Sequence, residues 1–400
     1  MGFFQPSTWT TKKKTRALPR CGQCGLAKQC ISPRMQPYGE GRRGILIVGE
    51  APGETEDRQG RPFIGNAGRL LRSVAKNAHL NLDRDCWLTN AVICRPPKNT
   101  IDDMYIEACR PNLIKTIKRL QPRVVVLLGL SAIKSLIGTE WGRDIGPMSR
   151  WAGWSIPSRA ANAWVCPSYH PSYLMRSNED LVLMQKAEGD LANAVSLASG
   201  QAPPILKLEE LQRSVEVIED PQRALVRMRN LAKQSGVLAF DYETTGLKPE
   251  RAEQRIVSVS FCLDGADTFA CMLSKRHHSA LSRILRNPKL KKVASNLKFE
   301  ERWTRHVLGH PVANWHWDTM LAAHVLDNRS GITSLKFQVY VEFGVPDYEA
   351  HVEKLLKAKK ANDINRIAEI HPRDLLIYNG MDSLLEYMLC QRQRLYMGLA

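Results

Sequence analysis

The chain has 400 residues, of which 44% are hydrophobic, so two domains with cores of their own are expected. Its net charge of +17 favours a polyanionic partner, because clustered lysines and arginines bind phosphates. No stretch reaches the roughly 20 apolar residues that a membrane span needs. Residues 1–16 lack the apolar core of a secretory signal. We therefore expect an intracellular chain, in which ten cysteines argue against a disulfide framework.

The first half of the sequence alternates short apolar runs with stretches of helical periodicity. Strands that alternate with helices predict a mainly parallel sheet covered on both faces. Ser131 directly follows the third strand and is the predicted N-cap of a helix. The predicted strands are Gly44–Val48, Trp87–Val92, Val124–Leu128 and Trp164–Cys166, and the predicted helices are Ala67–Leu80, Asp103–Leu120 and Glu179–Ala198.

The segment Ser199–Pro204 is small and turn-rich, which is typical of a linker. We place one domain at residues 20–198, the linker at 199–209 and a second domain at 210–400. The second domain has its own α/β pattern, which begins with a strand and a helix within Leu206–Gln234 and becomes mostly helical after Phe299. Its further predicted strands are Val237–Tyr242, Ile256–Cys262, Thr268–Met272 and Lys292–Ser295, and a helix is predicted to begin at Asn296.

Four cysteines of the first half are spaced as metal ligands often are. Cys21 and Cys24 form a C-x-x-C pair, and Cys94 and Cys109 form a looser pair after the second strand. Zinc and iron–sulfur clusters both take four sulfur ligands, so the spacing does not distinguish between them. Cys30 is an alternative ligand, and scattered buried cysteines remain the other interpretation.

The loop Gly49–Gly68 contains five glycines and two prolines and follows the first strand. Open α/β sheets bind ligands at the carboxyl ends of their strands, where backbone N–H groups can hold negative charge. A nucleotide-binding loop is disfavoured, because neither G-x-G-x-x-G nor a GK[ST] ending is present. The loop also carries the carboxylates Glu50, Glu54, Glu56 and Asp57.

This loop, the motif LTNAVICRPPKN at Leu88–Asn99 and the motif YHPSYLMR at Tyr169–Arg176 resemble, in order and spacing, the three motifs of the family 4 uracil-DNA glycosylases. The third cysteine of that family lies four residues after the motif asparagine, as Cys94 follows Asn90. The resemblance implies that the first domain has the uracil-DNA glycosylase fold. It also favours a 4Fe–4S cluster over zinc, with the ligands Cys21, Cys24, Cys94 and Cys109.

The resemblance further implies a role for each motif residue. Phe63 would stack on a uracil flipped out of the DNA, and Asn90 would bind its pairing edge. His170 would donate to the uracil carbonyl where negative charge develops as the glycosidic bond breaks.

Ala51 stands where the best-known branch of the superfamily has an aspartate. The water-positioning role therefore passes to Glu50 or Glu56. A related branch traps DNA through a histidine in an inserted loop, and the segment RPPKNTIDD after Cys94 has none, so we predict ordinary turnover.

Two pairs of residues in the second half suit divalent cations. Asp241 and Glu243 lie two apart at the end of a predicted strand, so both carboxylates face one side. Tyr378 and Asp382 lie four apart, which places them on one helical face. Carboxylates so placed can hold Mg²⁺ or Mn²⁺.

With the intervening motifs ASNLKFEERW at Ala294–Trp303 and WDTMLAAHVLD at Trp317–Asp327, these pairs resemble the DEDDy proofreading exonuclease domain of DNA polymerase I, which has a ribonuclease H-like fold. The resemblance implies two cations held by the three carboxylates Asp241, Glu243 and Asp382, with Tyr378 orienting the attacking water. Glu300 stands where that family has an aspartate, so its fit as a metal ligand is altered by one methylene. Asp318 is a compensating carboxylate or, as we favour, the N-cap of the helix that follows.

The leading hypothesis is a bifunctional enzyme of DNA repair and replication that excises uracil and trims DNA 3′ ends. The alternative is a DNA-binding accessory module with one or both sites inactive, which Ala51 and Glu300 keep open. An exoribonuclease is a third, less favoured interpretation. Polymerase elements do not follow Tyr387, so we expect that the protein does not polymerise DNA and that it is either a free-standing fusion or acts with a separate polymerase partner. The cytoplasm of a bacterium or of a phage-infected host cell is the expected location.

Overall fold

The computed structural model describes residue 21 and residues 23–358, 360 and 363–399. The chain divides into two compact units between Pro203 and Pro204. The segment predicted to lack a secretory signal, and residue 20 where the first domain was predicted to begin, lie outside the described residues. Within the part of the chain that is described, no helix is long and apolar enough to cross a membrane.

The first unit contains a five-stranded sheet. Its strands are β1 (Ile45–Gly49), β2 (Cys86–Asn90), β3 (Val124–Leu128), β4 (Ile156–Ser158) and β5 (Ala163–Ser168). Its helices are α1 (Glu54–Gln59), α2 (Asn66–Asn77), α3 (Leu82–Asp85), α4 (Asp103–Leu120), α5 (Leu130–Trp141), α6 (Pro171–Arg176) and α7 (Leu181–Ser199). The strand order is β2-β1-β3-β5-β4, and only β4 pairs antiparallel with its neighbour.

The mainly parallel sheet predicted for the first unit is therefore confirmed. Every residue of β1 and β3 is buried, as expected for central strands covered on both faces. Helices α2 and α7 supply much of the core on one face of the sheet. Helix α5 also packs against β1 and β3. The edge strand β4 was not predicted, because three residues with a central proline carry little strand signal.

The prediction that Ser131 caps a helix is wrong, because α5 begins at Leu130 and its N-cap is Gly129. Gly129 has a φ of 88°, a conformation that favours glycine. A Cβ at this position would also lie 2.7 Å from Glu50 Oε1. Ser131 instead donates to that same oxygen, from its backbone N–H at 3.3 Å and from its hydroxyl at 3.2 Å.

The second unit contains a six-stranded mixed sheet. Its strands are β6 (Val215–Ile218), β7 (Gly236–Thr244), β8 (Ile256–Leu263), β9 (Asp267–Met272), β10 (Leu290–Ala294) and β11 (Trp315–Asp318). Its helices are α8 (Leu208–Arg213), α9 (Pro221–Leu231), α10 (His278–Arg286), α11 (Lys298–Leu308), α12 (Thr319–Leu326), α13 (Leu335–Phe343), α14 (Glu353–Leu356) and α15 (Pro372–Tyr396).

The strand order of the second sheet is β11-β10-β7-β8-β9-β6. Strand β8 runs antiparallel to both β7 and β9, and the outer pairs are parallel. Helices α9, α10 and α11 cover one face of the sheet. The long helix α15 crosses the other face and packs against β6, β7, β8 and β9. The α/β architecture predicted for this half is confirmed.

The predicted helix start at Asn296 is wrong by two residues, because α11 begins at Lys298. Asn296 has a left-handed φ of 67°. The carboxylate of Asp318 accepts the backbone N–H groups of Asn296 and Leu297, both at 3.1 Å. Asp318 also accepts N–H groups at the start of α12, so its predicted role as an N-cap is confirmed.

Candidate active sites

A cleft of about 590 Å³ opens in the first unit beside the loop that follows β1. Asn90 ends β2, and His170 lies two residues beyond the end of β5, so three parallel strands present side chains at the same edge. The cleft brings together all the residues that the sequence predicts for this site: Glu50, Ala51, Glu56, Phe63, Asn90 and His170.

Glycines allow Phe63 and Asn90 to approach each other closely at the base of this cleft. A Cβ on Gly49 would lie 2.5 Å from both Asn90 Oδ1 and Phe63 Cζ. Phe63 has a φ of 58°, and the Arg72 guanidinium donates to its carbonyl oxygen. A Cβ on Gly68 would lie 1.9 Å from that same oxygen. The position of Phe63 therefore depends on glycine at positions 49 and 68, because a side chain at either one would clash with it.

His170 is the N-cap of α6 and presents one defined tautomer. The backbone N–H of Ser172 donates to Nδ1 at 3.2 Å, and the Ser172 hydroxyl lies 2.7 Å from the same nitrogen. Because Nδ1 accepts, the neutral ring carries its proton on Nε2. Burial lowers the pKa of His170, and the nearby charge of Glu50 opposes this effect. The imidazole therefore offers an N–H donor without a positive charge.

The two loop glutamates have different surroundings. Glu56 accepts three backbone N–H groups, from Gly53 at 3.1 Å, Ile64 at 3.1 Å and Gly65 at 2.7 Å. Its carboxylate therefore clamps the two ends of the loop together. Glu50 Oε1 accepts from the Ser131 hydroxyl at the start of α5. The charge of Glu50 also acts on the pKa of the nearby His170.

The four predicted cysteine ligands lie together beside this loop. Cys94 and Cys109 are buried, Cys24 is half-buried, and Cys21 is exposed. Arg34 links the two pairs, because its Nε donates to Cys21 Sγ at 3.1 Å and its backbone N–H donates to Cys94 Sγ at 3.3 Å. The backbone N–H of residue 93 donates to Cys109 Sγ at 3.3 Å. Such N–H donors stabilise thiolate sulfur.

Among the described residues, no three cysteine sulfurs lie within 4.8 Å of one another. Burial raises the pKa of Cys94 to about 12, so without a metal this thiol stays protonated. Cys30 also packs against this cluster and interacts with Cys94.

Asp57 connects the cysteine segment to the loop of the cleft. Its two carboxylate oxygens accept the backbone N–H groups of Ile31 at 3.1 Å and Ser32 at 2.8 Å. Asp57 itself is buried in α1. The sequence indicates Asp57 only as one of several loop carboxylates. Its hydrogen bonds to Ile31 and Ser32, which lie 25 or more residues earlier, could not be predicted from the sequence.

The second unit brings three of its four predicted carboxylates together. Asp241 and Glu243 on β7 and Asp382 on α15 each offer an oxygen, and these oxygens lie within 4.8 Å of one another. Burial and then the charge of Asp382 raise the pKa of Asp241 to about 7. Burial raises the pKa of Glu243 well above its usual value. These groups therefore need a cation nearby if all are to be ionised.

Residues that the sequence analysis did not single out hold this group in place. The side-chain amide of Asn379 donates to Asp241 Oδ2 at 2.7 Å, while its Oδ1 accepts from the Ser258 hydroxyl at 3.0 Å. The Lys336 ammonium pairs with Asp382, and the Tyr348 hydroxyl donates to Asp382 Oδ1 at 2.5 Å. Lys336 thus supplies a positive charge at the cluster.

The other two predicted residues lie at the edges of the same group. Tyr378 is buried, and the Lys336 Nζ lies 4.6 Å from its ring centroid. Burial raises the pKa of Tyr378, so the phenol keeps its proton. Glu300 is also buried but is not one of the three converging carboxylates, and its Oε2 has no hydrogen-bond partner.

Comparison with known proteins assigns a class to each unit. Residues 36–193 match the family model of the uracil DNA glycosylase superfamily, and residues 215–394 match that of a 3'-5' exonuclease. The predicted fusion of a uracil-DNA glycosylase domain with an exonuclease domain is thereby confirmed.

The type-4 uracil-DNA glycosylase of Pyrobaculum aerophilum is 38% identical over 169 residues, which are 41% of this chain and 84% of that protein. Through its first unit, the chain belongs to the family of type-4 uracil-DNA glycosylases.

Two further similarities are with a phage DNA polymerase and with a solved nuclease structure. The DNA polymerase of Bacillus phage SP01 is 24% identical over 325 residues, which are 74% of this chain but only 34% of that polymerase. Because this share exceeds either unit, the alignment includes residues of both. A solved structure described as "apo form of the nuclease" has 18% identity and a TM-score of 0.36, and covers 46% of this chain and 84% of that one.

Proposed function

We propose that this chain is a bifunctional DNA enzyme that hydrolyses the N-glycosidic bond of uracil in DNA and removes nucleotides from DNA 3′ ends. The observation that carries this proposal is the presence of two chemically different groups of side chains, one in each unit. The first lines a cleft and includes a neutral histidine donor. The second is a group of three converging carboxylates, which suits divalent cations.

In the glycosylase site, a flipped uracil would stack on Phe63 and bind Asn90 by its pairing edge. The Nε2–H of His170 would donate to a uracil oxygen as negative charge develops on the leaving base. A neutral imidazole suits this role, because its N–H can hydrogen-bond the oxygen on which negative charge develops. The tautomer imposed by Ser172 supports this assignment.

We assign the water-positioning role to Glu50 rather than Glu56. Glu56 is already saturated by three backbone N–H groups, so its contribution is to hold the loop closed. Glu50 lines the cleft and has an oxygen that no described N–H group of the loop engages. Ala51 between them lines the cleft and packs against the cysteine cluster, where a larger side chain would disturb both.

We further propose that Cys21, Cys24, Cys94 and Cys109 hold a 4Fe–4S cluster. Bound there, the cluster would cross-link the amino-terminal segment to the strand β2 and helix α4, which is a structural contribution. Asp57 supports the same connection from the loop side. The protein therefore needs the cluster for the shape of the cleft rather than for the bond cleavage itself.

Replacing Cys94 with serine should remove the broad absorbance near about 400 nm that an iron–sulfur cluster gives, and should lower iron from about four atoms per chain to below one. The measurement is the absorbance spectrum and the iron content of anaerobically purified protein. Cys166→Ser is the matched control, since Cys166 is buried in β5 and packs in a different core cluster of the same unit. Zinc in place of iron in the unmodified protein would contradict the assignment.

In the exonuclease site, we propose that Asp241, Glu243 and Asp382 hold Mg²⁺ or Mn²⁺ and that Tyr378 orients the attacking water. When bound, two divalent cations activate that water and stabilise the leaving 3′ oxygen. The protonated phenol of Tyr378 can donate to or accept from the water without becoming charged. Asn379 keeps the Asp241 carboxylate in a single orientation, so the ligand oxygens are pre-positioned.

A separate DNA polymerase is the partner we propose for this chain. The support is the alignment of both units with the DNA polymerase of Bacillus phage SP01. A uracil-excising unit and a 3′-trimming unit would then act on the strand that such a polymerase copies. The net charge of +17 suits a shared DNA substrate.

The identity of the products tests the two proposed activities separately. Incubation with a uracil-containing oligonucleotide should release free uracil base, detected by chromatography, and leave an abasic site. Incubation of a 5′-labelled oligonucleotide with Mg²⁺ should release mononucleotides from the 3′ end in single steps. Tight DNA binding with neither product would instead support a DNA-binding accessory module.

A further inference from the structure

We propose that Lys336 is a positioning residue of the exonuclease site, which links the carboxylate of Asp382 to the ring of Tyr378 and so fixes the phenol that orients the attacking water. The inference rests on the proposed exonuclease function and extends it to a residue outside the motifs. Lys336 lies on α13, whereas Asp382 and Tyr378 lie on α15, so Lys336 joins two separate helices at the site.

Two carboxylates and two aromatic rings surround the ammonium of Lys336. It donates to Asp382 Oδ1 and, at 2.9 Å, to the Tyr348 hydroxyl oxygen. Glu349 Oε2 lies 4.0 Å from the same nitrogen. The Nζ also lies 4.3 Å from the ring centroid of Tyr348 and 4.6 Å from that of Tyr378. These contacts fix the ammonium in one place between Asp382 and the Tyr378 ring.

Helix stability does not explain a lysine at this position. Lys336 is the second residue of α13, and positive charge in the first turn of a helix is disfavoured by the helix dipole. Its side chain is only 11% exposed, so it also loses conformational freedom and most of its hydration. The contacts that offset this cost are with Asp382 and Tyr378, which both belong to the proposed exonuclease site.

Lys336 is more important for Tyr378 than for Asp382. The Tyr348 hydroxyl donates to Asp382 Oδ1 at 2.5 Å, so this carboxylate keeps a donor when Lys336 is replaced. The ring of Tyr378 contacts the Lys336 ammonium and the tilted ring of Tyr348, whose centroid is 6.1 Å away. Of these two contacts the ammonium is the closer and is charged, and a cation is attracted to the face of an aromatic ring. The place of the Tyr378 ring therefore depends on Lys336.

The first test is Lys336→Met in the full chain, which keeps the apolar length of the side chain and removes the ammonium. The kcat for removal of 3′ nucleotides from a 5′-labelled single strand should fall by about 10–100-fold, the usual cost of losing a residue that supports a metal-dependent site. The KM for the same strand should stay unchanged. Lys336→Arg keeps the positive charge and should restore most of the rate.

Lys336→Gln is a second variant, which keeps the test decisive should Lys336→Met not fold. Its amide retains a donor for Asp382 but places no charge over Tyr378, so kcat should fall by the same factor. Lys292→Met is the matched control, because Lys292 is a buried lysine on β10 whose ammonium donates to the carbonyl oxygen of Asn287. It should keep the unmodified rate. An unchanged rate in both Lys336 variants would overturn the inference and leave the exonuclease function intact.

A double variant tests whether Lys336 acts through Tyr378. Tyr378→Phe keeps the ring and removes the hydroxyl, so Lys336 then has no water-orienting group to fix. Adding Lys336→Met to Tyr378→Phe should therefore lower kcat no further, although each single change lowers it. Losses that multiply in the double variant would show that the two residues act independently, which would overturn the inference.

Binding of Mn²⁺, followed by electron paramagnetic resonance, separates this role from a structural one. Lys336→Met should bind Mn²⁺ about tenfold more tightly than the unmodified chain, because an ammonium beside a cation ligand repels the cation. The Tyr348 hydroxyl still holds Asp382 in that variant. Weaker Mn²⁺ binding by Lys336→Met would overturn the positioning role, since the carboxylates themselves would then be disturbed. An unmodified chain with neither Mn²⁺ binding nor 3′ shortening would overturn the exonuclease function, and this inference with it.

Discussion

Replacing Asp241 with asparagine is expected to reduce 3′ nucleotide removal by on the order of 10³-fold or more. The reason is that Asp241 belongs to the converging trio of carboxylates, so the proposed cation site loses a charged ligand. The shape of the side chain is preserved. The measurement is the rate of shortening of a 5′-labelled single strand in Mg²⁺.

Uracil excision by the same variant should be unchanged, because the cleft belongs to the other unit. Asp267→Asn is a matched control in the same sheet, since Asp267 begins β9 and pairs with Arg227 away from the site. Should Asp241→Asn keep cation-dependent shortening within about tenfold of the unmodified rate, the nuclease site would lie elsewhere.

Replacing His170 with alanine is expected to slow uracil excision by about 10²–10³-fold, the usual cost of losing one donor to a developing oxyanion. The Nε2–H is the only donor that the neutral imidazole can offer, because Nδ1 accepts from Ser172. The effect should fall on the rate of bond cleavage more than on DNA binding. A single-turnover assay with excess protein measures this directly.

His79→Asn is the control for that variant. His79 is exposed in the same unit and has a φ of 53°, which asparagine tolerates. It should excise uracil at the unmodified rate. If His170→Ala lost substrate binding while retaining the single-turnover rate, His170 would be a positioning residue and not the donor to the leaving base.

The residues of the cleft in the first unit could be predicted from the resemblance of three motifs to the family 4 uracil-DNA glycosylases. Parallel strands explain why they meet, because Glu50 after β1, Asn90 at the end of β2 and His170 after β5 lie at one edge of the sheet. The structure brings them into one cleft. Their roles in catalysis stay predictions until the variants are measured.

The errors at helix starts have a common physical cause. Gly129 and Asn296 both adopt left-handed backbone conformations at the turn into a helix. In each case a carboxylate far away in sequence, Glu50 or Asp318, binds the turn or the first helical residues. Local sequence preferences do not contain such long-range contacts, so both boundaries were predicted two residues away from where they lie.

The surroundings of the carboxylate cluster could be predicted only in part. Lys336, Tyr348 and Asn379 carry no motif, and their role depends on where α13, the following loop and α15 pack.

The central claim is that one chain holds two independent active sites, of which only one needs divalent cations. The most direct measurement uses one preparation and a 5′-labelled oligonucleotide with an internal uracil, with either Mg²⁺ or EDTA. We expect abasic sites in both conditions and 3′ shortening in Mg²⁺ alone. Two independent sites would be contradicted if EDTA abolished uracil excision together with shortening, or if shortening persisted in EDTA.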